Sequence, residues 1–155
     1  MFRGNHPAKV DEKARLKLPA AFKLQLDAAS VSHFYITSAD GKSAEIWPLP
    51  EWEKREAALA KFSMDEAVQK YFNITSYYGQ QVQIDGQGRL LLPQILREKA
   101  NLNSDTVVFG KMNYLEVMDR EAFENQMTAN LLTADDRKKL AEILQPRAEK
   151  PGEND

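Results

Sequence analysis

Two pairs of charged residues place an Asp four positions before an Arg, namely Asp11 with Arg15 and Asp85 with Arg89. An Asp at the start of a tight turn can accept hydrogen bonds from the turn's amides and can also orient the neighbouring Arg. An oriented guanidinium is a planar donor that suits a phosphate or the acceptor edge of guanine. The alternative interpretation is purely structural, with the Asp capping the turn and the Arg forming a surface ion pair worth about 0–1 kcal/mol.

The two Asp–Arg pairs belong to an internal repeat. Residues 10–19 align with residues 84–93 at an offset of 74, sharing an aliphatic residue, Asp, Arg, two Leu and Pro. A second block follows in the same order, because residues 45–47 align with residues 116–118 at an offset of 71. This order indicates two tandem copies of one unit of about 50 residues. A turn does not require Arg, so its presence in both copies favours a paired donor surface.

Positive charge is concentrated at the N-terminal end of the chain. The 155 residues have a formal net charge of −2, which excludes a uniformly basic nucleic-acid binder. Residues 1–23 nevertheless carry a net charge of +4, whereas residues 45–66 and 100–132 each carry −3. The cations around the first turn include Lys9, Lys13 and Lys17, and Lys23 and Arg97 are a matched basic pair in the two copies. The first turn is therefore expected to have the stronger electrostatic footprint.

The apolar pattern predicts that each copy contains two β-hairpins, each followed by a short helix. In the first copy the strands are expected over residues 6–10, 14–18, 33–38 and 43–47. In the second copy they are expected over residues 78–84, 90–92, 105–110 and 114–118. Pro19, Pro50 and Pro93 stand where helices can begin.

A single unit of this size buries little apolar surface, and its hairpins leave open edges. Interlocking the two copies, so that each hairpin completes the other's sheet, resolves both problems within one chain. The expected organisation is a first repeat over residues 1–62, a helical linker over 63–74 and a second repeat over 75–130. A tail over residues 131–155 is expected to be helical and then, over 146–155, disordered.

Catalytic and membrane classes find little support in the sequence. The chain has no Cys, and its two histidines, His6 and His33, are too far apart for a zinc-protease motif. Residues 86–88 lack the third glycine and the helix of a dinucleotide loop. Asp11 and Asp85 each lie beside an Arg, which keeps a carboxylate ionised rather than poised for acid catalysis. We expect no enzyme activity, no cofactor, no metal and no small-molecule ligand. We also expect no membrane contact, since no apolar run approaches the roughly 20 residues that a membrane-spanning helix needs.

Four segments together resemble the MraZ family. They are residues 1–4, 10–19, 49–53 and 85–93, and the resemblance covers about residues 1–145. It implies an α+β, mainly β fold, with two tandem AbrB-like swapped-hairpin units interlocked into one pseudo-two-fold β-barrel with short flanking helices. It also implies a bacterial, cytoplasmic and nucleoid-associated regulator that binds repeated double-stranded DNA boxes upstream of the division and cell-wall gene cluster as a ring-shaped homo-oligomer.

The resemblance, together with the positive charge around the first turn, identifies candidate site residues. The expected DNA-binding residues are Arg15 as the principal contact, Arg3 and Lys13 in support, and Lys9, Lys17 and Arg89. The expected turn residues are Asp11 and Ala14 in the first copy and Asp85, Gly86 and Gly88 in the second. Ala14 stands where the family usually has glycine, so the first turn either has another geometry or is mildly strained. The turn of Arg89 either shares the DNA surface, faces elsewhere or contacts another subunit.

Two function classes follow from these features. The leading interpretation is a sequence-specific DNA-binding transcriptional regulator, with repression as the expected effect, whose subunits gain affinity by binding several boxes together. The alternative is an oligomeric scaffold whose acidic helices, over residues 50–66 and 119–130, recruit protein partners without DNA. DNA binding that neutralises several phosphates falls steeply with salt, whereas a scaffold has no such dependence.

Overall fold

A computed structural model describes residues 1–146, in which eight strands and six helices form a mixed α+β fold. The strands are β1 (Asn5–Lys9), β2 (Arg15–Lys17), β3 (His33–Thr37), β4 (Ala44–Pro48), β5 (Gln80–Gln83), β6 (Arg89–Leu91), β7 (Asp105–Lys111) and β8 (Tyr114–Asp119). The helices are α1 (Ala20–Ala28), α2 (Leu49–Ala60), α3 (Glu66–Tyr77), α4 (Gln94–Lys99), α5 (Arg120–Ala129) and α6 (Ala134–Leu144). The stretch predicted to be disordered, residues 146–155, lies outside the described residues except for Pro146.

The two halves of the chain exchange strands. β1 of the first half pairs with β7 of the second, and β5 of the second half pairs with β3 of the first. The six-stranded antiparallel sheet has the order β1-β7-β8-β4-β3-β5. Exchanging the two copies and reversing this order leaves it unchanged, so the pairing has pseudo-two-fold symmetry. The strand pairing thus shows the expected interlocking of the two copies.

The expected closed barrel is not formed by the strands of residues 1–146. β2 and β6 pair only with each other, as a separate two-stranded sheet, and β1 and β5 are the edges of the larger sheet. β2 and β6 are three residues long, and a proline, Pro19 or Pro93, stands two positions after the end of each strand. Because proline has no N–H to donate, the short pair cannot extend along the edges and close the sheet.

One apolar core joins the two sheets and the first helix of each half. It contains β3 and β4 side chains such as Phe34 and Ile46, together with Phe22 of α1. Leu16 of β2 and Leu90 of β6 lie directly opposite each other, and both are 0% exposed. These two leucines occupy equivalent positions of the repeat, so the pseudo-two-fold relation places them at its centre.

Aromatic side chains attach helices to the other face of the six-stranded sheet. Trp52 of α2 stacks on Tyr35 of β3 with ring centroids 4.7 Å apart and meets Trp47 of β4 edge-on at 5.6 Å. Phe123 of α5 contacts Phe109 of β7 at 4.7 Å. These contacts cover the face of the six-stranded sheet that points away from β2 and β6. The helices that make them therefore do not cover the two-stranded sheet.

The chain divides into two compact units, Met1–Phe123 and Glu124–Asp155. In the second unit α6 begins at a capping box, in which Thr133 Oγ1 accepts from the Asp136 amide at 3.0 Å and Asp136 accepts from the Thr133 amide at 2.9 Å. Among the helices of residues 1–146, none combines the length and the apolar character needed to cross a bilayer.

Truncating the central leucine should destabilise the protein strongly. We expect Leu16→Ala to lower the free energy of unfolding by about 2–5 kcal/mol, because it opens a cavity between the two sheets. Leu91→Ala is the control, since Leu91 lies in the partner strand but is 49% exposed, and it should change stability by less than about 0.5 kcal/mol. Urea unfolding of the two variants measures both values. Equal midpoints for Leu16→Ala and the wild type would contradict this account of the core.

Candidate nucleic-acid interface

The first turn is built around the carboxylate of Asp11. Its Oδ1 accepts hydrogen bonds from the backbone amides of Lys13 and Arg15, both at 2.9 Å. Its Oδ2 accepts a hydrogen bond from Arg15 Nε at 2.9 Å. The backbone closes the same turn, because the Ala14 amide donates to the Asp11 carbonyl at 3.0 Å. One carboxylate therefore fixes the turn and the direction of the guanidinium together.

The second turn repeats each of these bonds. Asp85 Oδ1 accepts from the amides of Gln87 and Arg89 at 2.9 Å, and Asp85 Oδ2 accepts from Arg89 Nε at 2.8 Å. The Gly88 amide donates to the Asp85 carbonyl at 3.0 Å. The same hydrogen bonds thus cap each turn and orient its Arg. A structural role for the Asp as a turn cap therefore does not exclude a role for the Arg in binding a phosphate or a base.

Ala14 adopts the conformation for which the second copy uses glycine. Its φ is 62°, against 76° for Gly88. Of the two alternatives left by the sequence, a different turn geometry is therefore excluded and local strain is present, worth about 1–2 kcal/mol for a residue with a Cβ. Gly86 has no positive φ, and a Cβ added to it would meet nothing within 4 Å, so the turn does not require glycine there. The first copy has Glu12 at that place.

The pairing of β2 with β6 brings both turns onto one surface. Leu16 and Leu90 face the core, so the alternating side chains on the opposite side face outward. The outward-facing residues are Arg15 opposite Leu91 and Lys17 opposite Arg89; we call these four the strand-pair face. The two turns are also linked directly, because Arg89 Nη1 lies 3.8 Å from Asp11 Oδ2. Arg89 therefore shares the surface of Arg15 and does not face elsewhere.

Both aspartates are held in their ionised form. The hydrogen bond from the Arg15 amide is the largest influence that lowers the pKa of Asp11, and the Arg15 side chain lowers it further, while desolvation works against them. The Arg89 amide and side chain lower the pKa of Asp85 in the same way. An ionised carboxylate is what each guanidinium needs in order to stay oriented at neutral pH.

The remaining candidate cations lie at different distances from this face. Lys13 is exposed within the first turn, and Lys9 and Lys17 line one cavity of about 500 Å³ beside β1 and the start of α1. Arg3 precedes β1, whose far end leads into the first turn. The full five-residue strand, about 16 Å long, therefore separates Arg3 from that turn. The structure brings Lys9, Lys13 and Lys17 together with Arg15 but does not bring Arg3 there.

Leu91 is the surface residue that sequence reasoning missed. It occupies the repeat position of Lys17 and belongs to a predicted short apolar strand, yet its side chain is 49% exposed beside Arg15. The available signal is strand alternation, because Leu90 and Leu92 on either side are buried. The strand-pair face therefore combines three cations with one apolar side chain.

This arrangement is suited to binding an anion rather than to catalysis. Each Arg is held through Nε by its own Asp. This leaves both Nη groups of Arg15, and the Nη of Arg89 that does not face Asp11, as donors for a phosphate or a base edge. Lys17 and Arg89 are like charges directly opposite in the strand pair, a pairing that is unfavourable until an anion lies between them. Within residues 1–146, no three potential His, Asp or Glu ligands gather as they would around a metal ion.

Comparisons with known proteins agree on one family. A family model described as "MraZ protein, putative antitoxin-like" matches residues 1–74 and 79–145. The chain is 57% identical over 144 residues to the transcriptional regulator MraZ of Acidobacterium capsulatum, covering 92% of this chain and 99% of that relative. It is 43% identical over 145 residues to the protein of the same name in Koribacter versatilis, with the same coverage. A third relative so named, from Shewanella baltica, is 34% identical over 82% of this chain and 85% of its own length.

Exchanging the residues at the left-handed positions of the two turns should have opposite effects. Ala14→Gly is expected to raise the free energy of unfolding by about 0.5–1 kcal/mol, because glycine removes the left-handed penalty at some cost in chain entropy. Gly88→Ala should lower it by about 1 kcal/mol for the same reason, since only the flexible Lys23 side chain lies near its Cβ. Thermal and urea unfolding of both variants test the pair. A destabilised Ala14→Gly protein would disprove the strain.

The two turn carboxylates should make stability depend on acid pH. A lowered folded-state pKa contributes stability above the ordinary aspartate pKa of about 3.9, and that stability is lost as the pH falls through the lowered value. The double variant Asp11→Asn, Asp85→Asn has no such carboxylates, so its unfolding free energy should change less between neutral pH and the acid range. Urea unfolding across this range measures the difference. An equal pH dependence in the variant and the wild type would refute the assigned role.

Proposed function

Since this chain belongs to the MraZ family of transcriptional regulators, we propose that it regulates transcription by binding double-stranded DNA through the strand-pair face. The family is one of regulators and not of enzymes, so binding rather than catalysis is the activity to explain. The observation that carries the proposal is the placement of two Asp-oriented arginines, Arg15 and Arg89, on one exposed pair of strands.

These arginines are suited to binding DNA because their side chains are already oriented before the DNA is bound. A free Arg side chain loses rotamer freedom when it binds, whereas Arg15 and Arg89 are already held by Asp11 and Asp85 at 2.8–2.9 Å. Their planar donor groups match phosphate oxygens and the O6 and N7 atoms of guanine. We propose that Arg15 is the principal contact, because Lys13 and Lys17 add positive charge on its side of the pair.

The dimensions of the strand pair also fit the proposal. The major groove of B-DNA is about 12 Å wide and admits a two-stranded β-ribbon. Cations on the strand-pair face can reach phosphates or base edges, and Leu91 between them can contact a thymine methyl or a sugar. Lys9, near the same end of the molecule, adds a phosphate contact, whereas Arg3 acts only where the DNA extends along β1.

We further propose that several copies close into a ring that binds repeated promoter boxes. One chain offers only a handful of cations at this face, so a single contact with DNA is weak at physiological salt. Tethering several faces in one assembly raises the effective concentration of the later contacts and supplies affinity without new interactions. The proposal that the boxes lie upstream of the division and cell-wall gene cluster, with repression and nucleoid association as results, rests on the family resemblance.

Removing Arg15 should weaken DNA binding in a way that depends on the number of boxes. Arg15→Ala is expected to lose about 5- to 150-fold in affinity for each box of promoter DNA, since a lost specific Arg contact costs about 1–3 kcal/mol per site. Arg89→Ala should lose less, and Lys70→Ala, an exposed cation on α3, should bind as the wild type does. Gel-shift titrations on DNA with one and with several boxes measure all three variants.

Two outcomes would count against the proposal. Wild-type affinity in Arg15→Ala would show that the strand-pair face is not the contact surface, and equal affinity for one and several boxes would remove the ring argument. Affinity that does not fall with salt would instead favour the protein-binding scaffold, because neutralising phosphates releases counterions.

A further inference from the structure

Lys23 and Arg97 occupy equivalent places in the two halves of the structure. Each lies in the first turn of the helix that follows the strand pair, α1 for Lys23 and α4 for Arg97. The Lys23 amide donates to the Pro19 carbonyl at 3.0 Å, and the Arg97 amide donates to the Pro93 carbonyl at 2.9 Å. Backbone hydrogen bonding thus confirms the match that the repeat offset predicts.

The Lys23 side chain stands against the turn of the opposite half, and the same backbone hydrogen bonds recur around Arg97. The Leu18 amide donates to the Gly88 carbonyl at 3.0 Å, and Lys23, five residues later, brings its Cε to 3.3 Å from the Cβ position of Gly88. The Leu92 amide donates to the Ala14 carbonyl at 2.9 Å, and Arg97 follows Leu92 by the same five residues. The pseudo-two-fold relation therefore places Arg97 against the first turn, where Arg15 and Lys13 lie.

The two cations differ in whether the protein neutralises them. Lys23 Nζ binds both carboxylate oxygens of Asp27, one helical turn along α1, at 2.8 and 2.9 Å. When the two copies are aligned, α4 ends at Lys99, which is three residues before the position that matches the end of α1. The position that matches Asp27 therefore lies beyond the end of α4. Glu98, the nearest acid, instead accepts a hydrogen bond from Gln94.

Arg97 consequently has no counter-ion among the residues that the structure describes. Within residues 1–146 its side chain makes no hydrogen bond or ion pair, and its Nε is buried without a partner. Burying an unpaired charged donor is costly, and an anion bound to the guanidinium offsets part of that cost. A half-buried cation near the first turn, with no acid beside it among the described residues, is therefore suited to accept an external anion.

We propose that Arg97 is a further phosphate-binding residue of the DNA interface, acting beside Arg15 and Lys13 at the first turn. The proposal rests on the proposed DNA binding and extends it to a helix outside the strand-pair face. It also makes the interface unequal, because the equivalent cation at the second turn, Lys23, is already neutralised by Asp27. Because α4 is shorter than α1, the ion pair that Lys23 makes with Asp27 has no counterpart at Arg97, and Arg97 is left to contact the DNA backbone.

The salt dependence of DNA affinity tests this assignment with a matched control. Arg97→Gln and Lys23→Gln each remove one positive charge, so they change the long-range field equally. The affinity of each for a mixed-sequence duplex of about 40 base pairs is measured by fluorescence anisotropy across a salt series. We expect Arg97→Gln to reduce the slope of log affinity against log salt by about 0.9 for each bound chain. Lys23→Gln should keep the wild-type slope, and Arg97→Lys should largely restore it.

A second measurement avoids substitution altogether. Phenylglyoxal modification of wild-type arginines, read by peptide mass spectrometry, should be suppressed by the duplex at Arg97 and unchanged at Arg55 of α2, which lies over the Trp47 ring. An Arg97→Gln slope equal to the wild type, or modification of Arg97 that the duplex does not suppress, would overturn the assignment. In that case a reduced slope in Arg15→Ala would leave the proposed function standing. A wild-type affinity that does not change with salt would overturn both.

Discussion

The candidate interface depends on one short antiparallel pairing, that of β2 with β6. Three residues from each half meet there, with Leu16 against Leu90 on the buried side. This contact fixes the register of both strands, and a slip of one residue would turn the arginines inward and the leucines outward. Because the same pairing brings Asp11 within 3.8 Å of Arg89, the two turns form one surface only while the strands keep this register.

The two halves share a backbone design but differ in the chemistry that they present. Both turns have the same hydrogen bonds, yet the first copy has lysines where the second has Gln83, Gln87 and Leu91. The first turn keeps the geometry even at the cost of a left-handed Ala14. The residues that the two copies share thus form the interlocked sheet and the pair of oriented arginines. The residues that differ between the copies make the first turn more positively charged than the second. The surface is thus charged unequally although its scaffold is nearly symmetric.

Much of the fold could be predicted because its signals are local. The Asp85 turn, the strand around Leu90 and the helix after Pro93 follow from residue types and spacing, and the structure confirms them. The linker helix predicted over 63–74 begins later, at Glu66, because Asp65 caps it by accepting from the Ala67 amide.

Features that depend on contacts between distant segments were harder to predict. The strands of residues 1–146 do not show the predicted closure of the barrel, because β2 and β6 pair only with each other. The shared surface of Arg15 and Arg89 follows from strand register, and the exposure of Leu91 follows from the same register. That Arg97 has no counter-ion within residues 1–146 follows from the length of α4 relative to α1. Local sequence patterns predict neither the register in which distant strands pair nor the relative lengths of equivalent helices.

A DNA-cleaving probe on the strand-pair face tests the central claim most directly. The chain has no cysteine, so Leu91→Cys gives a single site for an iron chelate that cuts nearby DNA. The same chelate on Met64→Cys, a position that is 87% exposed between α2 and α3, is the control. The account predicts cleavage focused at the bound boxes from position 91 and only background cleavage from position 64. Focused cleavage from position 64, with none from position 91, would contradict it.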